Sequence, residues 1–330
     1  MQFALPPRKP SHNVPYTRLS HTSARRRKLK VAAVLAVVAF SFVFLLSRLF
    51  SSSSSSSSSL ASSGEVVPTG ETNIVIVTVL DEEKFSDKYI QRIKQNREDY
   101  AKRHGYTNFF ASTREYLPYL NGAPRSWALV PALRHAYTLY PKASHFFHIS
   151  PHAVIMNPSL SLTSHILDTK RLESLMIKDK PVVPPGSVIK TFSHLKAKDV
   201  DFIISQDAEN LCPGSMILRR TEWTRYFLDA WFDPLYRSYN FAKAETHALD
   251  HIIQWHPTLL AKLALIPQRI LNSYTPDSPS LMPDSLFNDG DFVVRFLGCD
   301  AHKPKKTCEE QMEIFWTKWA RETNNANRRV

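Results

Sequence analysis

Seven consecutive residues, Ile74-Val75-Ile76-Val77-Thr78-Val79-Leu80, are apolar or β-branched. A short unbroken run of this kind, with no alternation, predicts a strand buried on both faces of a parallel sheet. Such a sheet needs helices on both sides, which commits the chain to an α/β plan. The sequence that follows agrees with that plan. Ser86 to His104 is polar with helical spacing and stops at Gly105; a strand is predicted at Asn108–Ala111, a helix over Ser126–Tyr140 and a strand over His145–Ser150. Further along, strands are expected at Phe202–Ser205, Ser215–Leu218 and Phe292–Leu297. Helices are expected over Thr221–Phe232, Ala244–Trp255 and Glu309–Ala320. With no internal repeat, residues 71–330 read as one α/β domain with a mainly parallel sheet.

The N-terminal region has a different composition. The net charge of +12 suggests a nucleic-acid partner until it is divided along the chain. Residues 1–50 hold nine of the 42 Lys and Arg and none of the 30 Asp and Glu, leaving a body with 33 basic against 30 acidic residues. No nucleic-acid partner is therefore expected. The apolar stretch Val31 to Phe50, helical, rises about 30 Å, the thickness of a bilayer core. Arg25, Arg26, Arg27, Lys28 and Lys30 precede it and nine serines follow. The positive-inside rule then gives a cytosolic tail (1–30), a transmembrane signal anchor (31–50), a Ser-rich stem (51–70) and a lumenal domain (71–330). The rival reading is a cleaved signal peptide ending near Ser59-Leu60-Ala61, which the 30-residue lead fits less well. Of the three lumenal cysteines, Cys299 and Cys308 close a short loop as a disulfide, leaving Cys212 unpaired.

A parallel sheet binds nucleotides at the carboxyl ends of its strands. The eight glycines are too scattered for a dinucleotide fingerprint or a P-loop. The other device is a carboxylate-held divalent metal on a diphosphate, its Asp-x-Asp at the end of a central strand. Here that strand ends Ile149-Ser150-Pro151-His152, without an acid.

Five segments carry a resemblance: Ala153 to Leu160, Trp231-Phe232-Asp233-Pro234-Leu235-Tyr236-Arg237, Trp255-His256-Pro257, Ile266-Pro267-Gln268-Arg269 and Gly298-Cys299. They resemble glycosyltransferase family 34, most nearly the fungal α-1,6-mannosyltransferase subunits of the Golgi mannan polymerase. The resemblance runs in order over about residues 73–320. It implies a type A nucleotide-sugar fold, a retaining transfer, GDP-mannose as donor and Mn²⁺ as cofactor. It also implies residence in the Golgi membrane as a single-pass type II protein, and other polymerase subunits as partners, among them a paralogue with an intact Asp-x-Asp.

The departures from the family pattern fall on polar, substrate-facing positions. Ser150 and His152 replace the two acids, Arg295 a metal-binding His, Leu129 a Lys, and Thr246 a Gln. Cys212 lies in a loop that reads Glu209-Asn210-Leu211-Cys212-Pro213-Gly214 instead of Asp-Gly-Leu-Asn-Ala-Gly. Every protein ligand for Mn²⁺ is then gone, so no cofactor is expected. Asp207, Glu245, Gly214, Ser215 and Arg295 remain as candidate substrate contacts. Arg295 offers a fixed charge in place of a cation, against the plainer reading of a salt bridge or a solvated edge. His152 is a poor lone metal ligand, Cys212 reads as a buried thiol before a nucleophile, and His247 with His251 as helix-face residues before a metal pair. Trp223, Trp231, Phe232 and Tyr236 read as core, and Trp316 and Trp319 as core or contact surface.

The sequence thus supports a degenerate-site subunit of an α-1,6-mannosyltransferase complex. An active metal-independent transferase using GDP-mannose is the alternative, and a lumenal glycan-binding or trafficking module a third.

Overall fold

The computed structural model describes residues 74–183, 187–276, 283–299 and 304–327. The expected tail, anchor and stem lie outside the described residues, among which no helix is long and apolar enough to cross a membrane.

The chain order is β1 (Ile74–Leu80), α1 (Asp87–His104), β2 (Thr107–Ser112), α2 (Thr113–Leu120), α3 (Leu129–Leu139), β3 (His145–Ile149), β4 (Ala153–Ile155) and α4 (Thr169–Leu175). It continues with β5 (Phe202–Gln206), β6 (Leu211–Arg219), α5 (Glu222–Trp231), α6 (Pro234–Ser238), α7 (Ala244–Trp255), α8 (Pro257–Leu260), β7 (Leu263–Leu265), α9 (Gln268–Leu271), β8 (Ser273–Tyr274), β9 (Val293–Arg295) and α10 (Cys308–Asn327). The main sheet has the order β2-β1-β3-β6-β5-β7. Only β6 runs against the other five strands, because it pairs antiparallel with both β3 and β5. A second sheet, β4-β9-β8, stands beside it.

The run that opens the domain behaves as its composition requires. Val75 and Val77 of β1 point into one apolar cluster and Ile74 and Ile76 into another, so both faces of the sheet are covered. Helix α1 starts where the Ser86 hydroxyl accepts a hydrogen bond from Tyr89 N at 3.3 Å, and Lys102, Arg103 and His104 complement its C-terminal dipole. It buries the stripe Tyr89, Ile90, Ile93, Asn96, Arg97, Tyr100 and Ala101 against the sheet, five apolar residues and two polar ones. A third cluster, holding Phe85, Val154, Val294, Phe296, Met312, Phe315 and Trp319, seats α10 on the small sheet.

Several elements differ from the sequence reading. Helix α10 extends to Asn327, and β6 covers nine residues where four are expected, since pairing on both edges carries it past its apolar centre. Helix α2 and strands β4 and β8 are too short to show a period, and Phe292–Leu297 forms strand only over Val293–Arg295. Trp319 is buried in the core, which removes it from the contact surface, while Arg92 lies over the Trp316 ring at 5.3 Å.

Candidate functional site

The site grows from the turn that follows β3. The chain leaves the sheet at Ile149, turns through Ser150, Pro151 and His152, and re-enters the small sheet at Ala153. Each carbonyl of that turn is engaged. Arg97 Nη2 donates to Ser150 O at 3.0 Å and to Ala153 O at 2.7 Å. The Tyr89 hydroxyl donates to Pro151 O at 2.8 Å, and Phe296 N donates to His152 O at 2.7 Å. Asn96 secures the strand beyond, its Nδ2 donating to Ile155 O at 3.0 Å and its Oδ1 accepting from Ile155 N at 2.9 Å. A turn so completely bonded is held rigidly, because most of these bonds cannot break without stranding a polar group.

Arg97 is fully buried without a carboxylate partner among the described residues, its charge spread over carbonyls and over Asn96 Oδ1 at 2.6 Å. Burial lowers its pKa to about 9, still protonated at neutral pH. Nothing in the apolar periodicity of α1 marks Asn96 and Arg97 as site residues; two polar side chains on the buried stripe are the available signal.

Arg295 reaches the turn from β9. It pairs with Ala153 in the β4–β9 ladder, and its guanidinium lies flat against Gly214. A Cβ added at Gly214 would sit 2.4 Å from Arg295 Nη1, so the glycine is what admits the side chain. Gly214 O accepts from Ser150 N at 2.8 Å, which closes Ser150, Gly214 and Arg295 into one constellation. Among the described residues no carboxylate comes within 4.0 Å of the guanidinium and no hydrogen bond engages it. The plainer salt-bridge reading of Arg295 is thus not what these residues show. Arg97 and Arg295 are both felt at His148, which burial first and these two charges next hold down to about 3 and therefore neutral.

The remaining candidates divide. Asp207 accepts from the Tyr274 hydroxyl at 2.7 Å and from Glu209 N and Asn210 N at 2.8 and 2.7 Å, acting as the brace of its loop. Cys212 is buried, 3.3 Å from the Tyr274 hydroxyl, and burial pushes its thiol up to about 12, which excludes a thiolate nucleophile at neutral pH. Ser215 is wholly buried, and Leu129 lies in the apolar core; both face the interior. Glu245 and Thr246 open α7, where Glu245 O accepts from Trp231 Nε1 at 2.9 Å. His251 packs among Tyr236, Phe241 and Trp255, and neither it nor His247 belongs to a metal-holding group among the described residues. Asp250 joins α7 to the site loop: its carboxylate accepts from Asn210 Nδ2 at 2.7 Å and Leu211 N at 3.0 Å, and burial raises its pKa to about 6.

His152 meets the disulfide. Its Nδ1 lies 3.3 Å from Cys299 Sγ and 3.4 Å from Cys308 Sγ, and those two sulfurs are bonded to one another. The donor set for the family's Mn²⁺ is therefore a hydroxyl, an imidazole occupied with a disulfide, and a cation. Hard-oxygen coordination cannot be built from these three groups, so among the described residues the site does not fit the metal.

Residues 70–308 match the galactosyl transferase GMA12/MNN10 family. The chain is 33% identical over 231 residues to an uncharacterized alpha-1,2-galactosyltransferase of Schizosaccharomyces pombe, covering 69% of this chain and 60% of that protein. It is 30% identical over 263 residues to the probable alpha-1,6-mannosyltransferase MNN11 of Saccharomyces cerevisiae, covering 74% and 61%. The match thus spans less than two thirds of either relative. A solved glycosyltransferase involved in glycosylation of the major capsid of PBCV-1 superposes with a TM-score of 0.47 at 11% identity, over 74% of this chain and 99% of that one. The family match covers most of the chain, and the protein belongs to the GMA12/MNN10 family of glycosyltransferases.

Proposed function

We propose that the chain is a lumen-facing, type II Golgi subunit of a fungal α-1,6-mannosyltransferase assembly. Its type A domain would hold a sugar nucleotide through Arg295 in place of a metal. The observation that carries this reading is the Arg295 guanidinium, seated on Gly214 beside Ser150, with no carboxylate within 4.0 Å of it among the described residues. A diphosphate needs positive charge, and a planar guanidinium presents two parallel N–H donors to it. Buried Arg97 adds a second cation beneath the same turn.

The same substitutions argue for a non-catalytic role. A guanidinium binds the diphosphate in the ground state as well as in the transition state, and uniform binding does not raise the turnover rate. An Asp-x-Asp paralogue in the assembly would supply transfer, and residues 1–70 would anchor and space the domain. Arg295 also supports a second reading, slow metal-independent transfer in which it stabilises the leaving diphosphate.

The relatives carry both galactosyl- and mannosyltransferase names, so the test uses both donors. The full chain in detergent is titrated with GDP-mannose and UDP-galactose, with and without Mn²⁺. Donor binding indifferent to Mn²⁺ and weakened by Arg295→Ala is expected. Binding only with Mn²⁺ overturns the reading, and donor hydrolysis or transfer by the isolated chain favours the second.

A further inference from the structure

His152, Cys299 and Cys308 are brought together by three separate elements. His152 ends the braced turn after β3, Cys299 follows β9 at a chain reversal where Gly298 takes φ +72°, and Cys308 is the first residue of α10. Their ligand atoms all lie within 4.8 Å of one another, and among the described residues they are the one group of three that can hold a metal ion. We propose that this is a redox-gated zinc site: closed as a disulfide, and a two-thiolate, one-imidazole site for Zn²⁺ when reduced.

The geometry is nearly complete before reduction. A tetrahedral ion about 2.3 Å from sulfur and about 2.0 Å from nitrogen places each S···N edge at about 3.5 Å and the S···S edge at about 3.8 Å. The two S···N distances are already 3.3 and 3.4 Å. Only the sulfurs have to part. His152 is fixed for the role at both ends, its N donating to the Ser150 hydroxyl at 3.2 Å and its O accepting from Phe296 N. The Phe85 ring stands edge-on to the imidazole at 5.2 Å. Cys308 opens a long helix, whose N-terminal dipole favours a thiolate. Both cysteines are buried while His152 is half-buried, so the ion would enter on the imidazole side.

The chemistry balances with a dithiol reductant. Two electrons and two protons pass to the Cys299–Cys308 bond, giving two thiols, while the reductant closes to its own disulfide. Zn²⁺ then displaces the two protons, and neutral His152 supplies its lone pair. Two thiolates and an imidazole are a soft donor set that selects zinc over the Mn²⁺ of the family. Such an ion would tie α10 to the turn that carries Ser150 in the reduced state, as the disulfide ties it to the β9 end in the oxidised one.

The test uses the full chain, reduced with a dithiol that is then removed anaerobically, and titrated with Co²⁺ as an optical probe. A thiolate-to-cobalt charge-transfer band is expected, saturating at one equivalent and bleached by Zn²⁺. The oxidised chain should show none. His152→Gln, which keeps the size and polarity of the residue, should weaken Zn²⁺ binding at least tenfold, Cys299→Ser should abolish the band, and Cys212→Ser should leave it intact. The proposal is overturned by a reduced chain that keeps its far-ultraviolet circular dichroism yet binds no Co²⁺, by a band insensitive to His152→Gln, or by reduction that unfolds the protein.

Discussion

The turn Ser150–Ala153 has two sides, and they differ in kind. From α1, Tyr89 and Arg97 donate to the carbonyls of Ser150, Pro151 and Ala153, and Asn96 secures Ile155 just beyond. On the β9 side, Arg295, Gly214 and Ser150 form a half-open positive corner in which no acid from the described residues takes part. The α1 side has everything a metal-binding turn would need to be held in place. The β9 side has none of the ligands. On the proposed reading, the turn is kept rigid to present the charge of Arg295 and not to coordinate a cation.

That contrast breaks most visibly when the α1 side is removed. Arg97→Ala leaves the Ala153 carbonyl without its Arg97 donor, leaves Ser150 O with only the Ala153 N–H, and opens a cavity at the turn, and a loss of about 3 kcal/mol is expected from urea denaturation. A loss under about 1 kcal/mol would mean that the turn holds itself. On the β9 side the effect should be on binding instead. Arg295→Ala is expected to weaken the sugar nucleotide about thirtyfold, about 2 kcal/mol, while the unfolding midpoint barely moves. Comparable losses of stability and affinity would erase the distinction between the two sides. Gly214→Ala sharpens it further, since the new methyl displaces the guanidinium without deleting it. An intermediate loss of affinity, milder than that of Arg295→Ala, should appear in the same titration.

The smallest effect is the pH dependence. Burial keeps His148 and His145 neutral, with pKa values of about 3 and about 4 against an ordinary 6.5. The unfolded chain takes up protons below pH 6.5 that the folded chain refuses, so their contribution to stability is present above pH 6.5 and is lost as pH falls toward 3. Asp250, raised to about 6, has the opposite sign: its proton is held more tightly in the folded state, and stability is gained as pH falls from about 6 toward 3.8. Asp250→Asn should therefore steepen the acid loss measured by urea midpoints between pH 4 and 6, and His148→Gln should flatten it in part.

How much of this was readable in the sequence follows the same division. The strand Ile74–Leu80 and the helix ending at His104 were announced by composition and capping, because burial and dipole effects are local properties of a short segment. The substituted positions Ser150, His152 and Arg295 were legible only against the family pattern. Their convergence depends on β4 and β9, three-residue strands with no periodicity to betray them. Asn96 and Arg97 were hidden in another way, since a polar residue on a helix is read as solvated until the sheet above it is known. Ser215, offered as a substrate contact by the resemblance, is wholly buried, and Leu129, which stands where the family pattern has a Lys, packs into the apolar core.

The most direct test of the metal-free corner is calorimetric titration of the full chain with GDP-mannose and UDP-galactose, with Mn²⁺ and with a chelator. The account predicts the same affinity for the recognised donor in both conditions, weakened about thirtyfold in Arg295→Ala. Binding that appears only when Mn²⁺ is present, or that survives the loss of Arg295 unchanged, would contradict it.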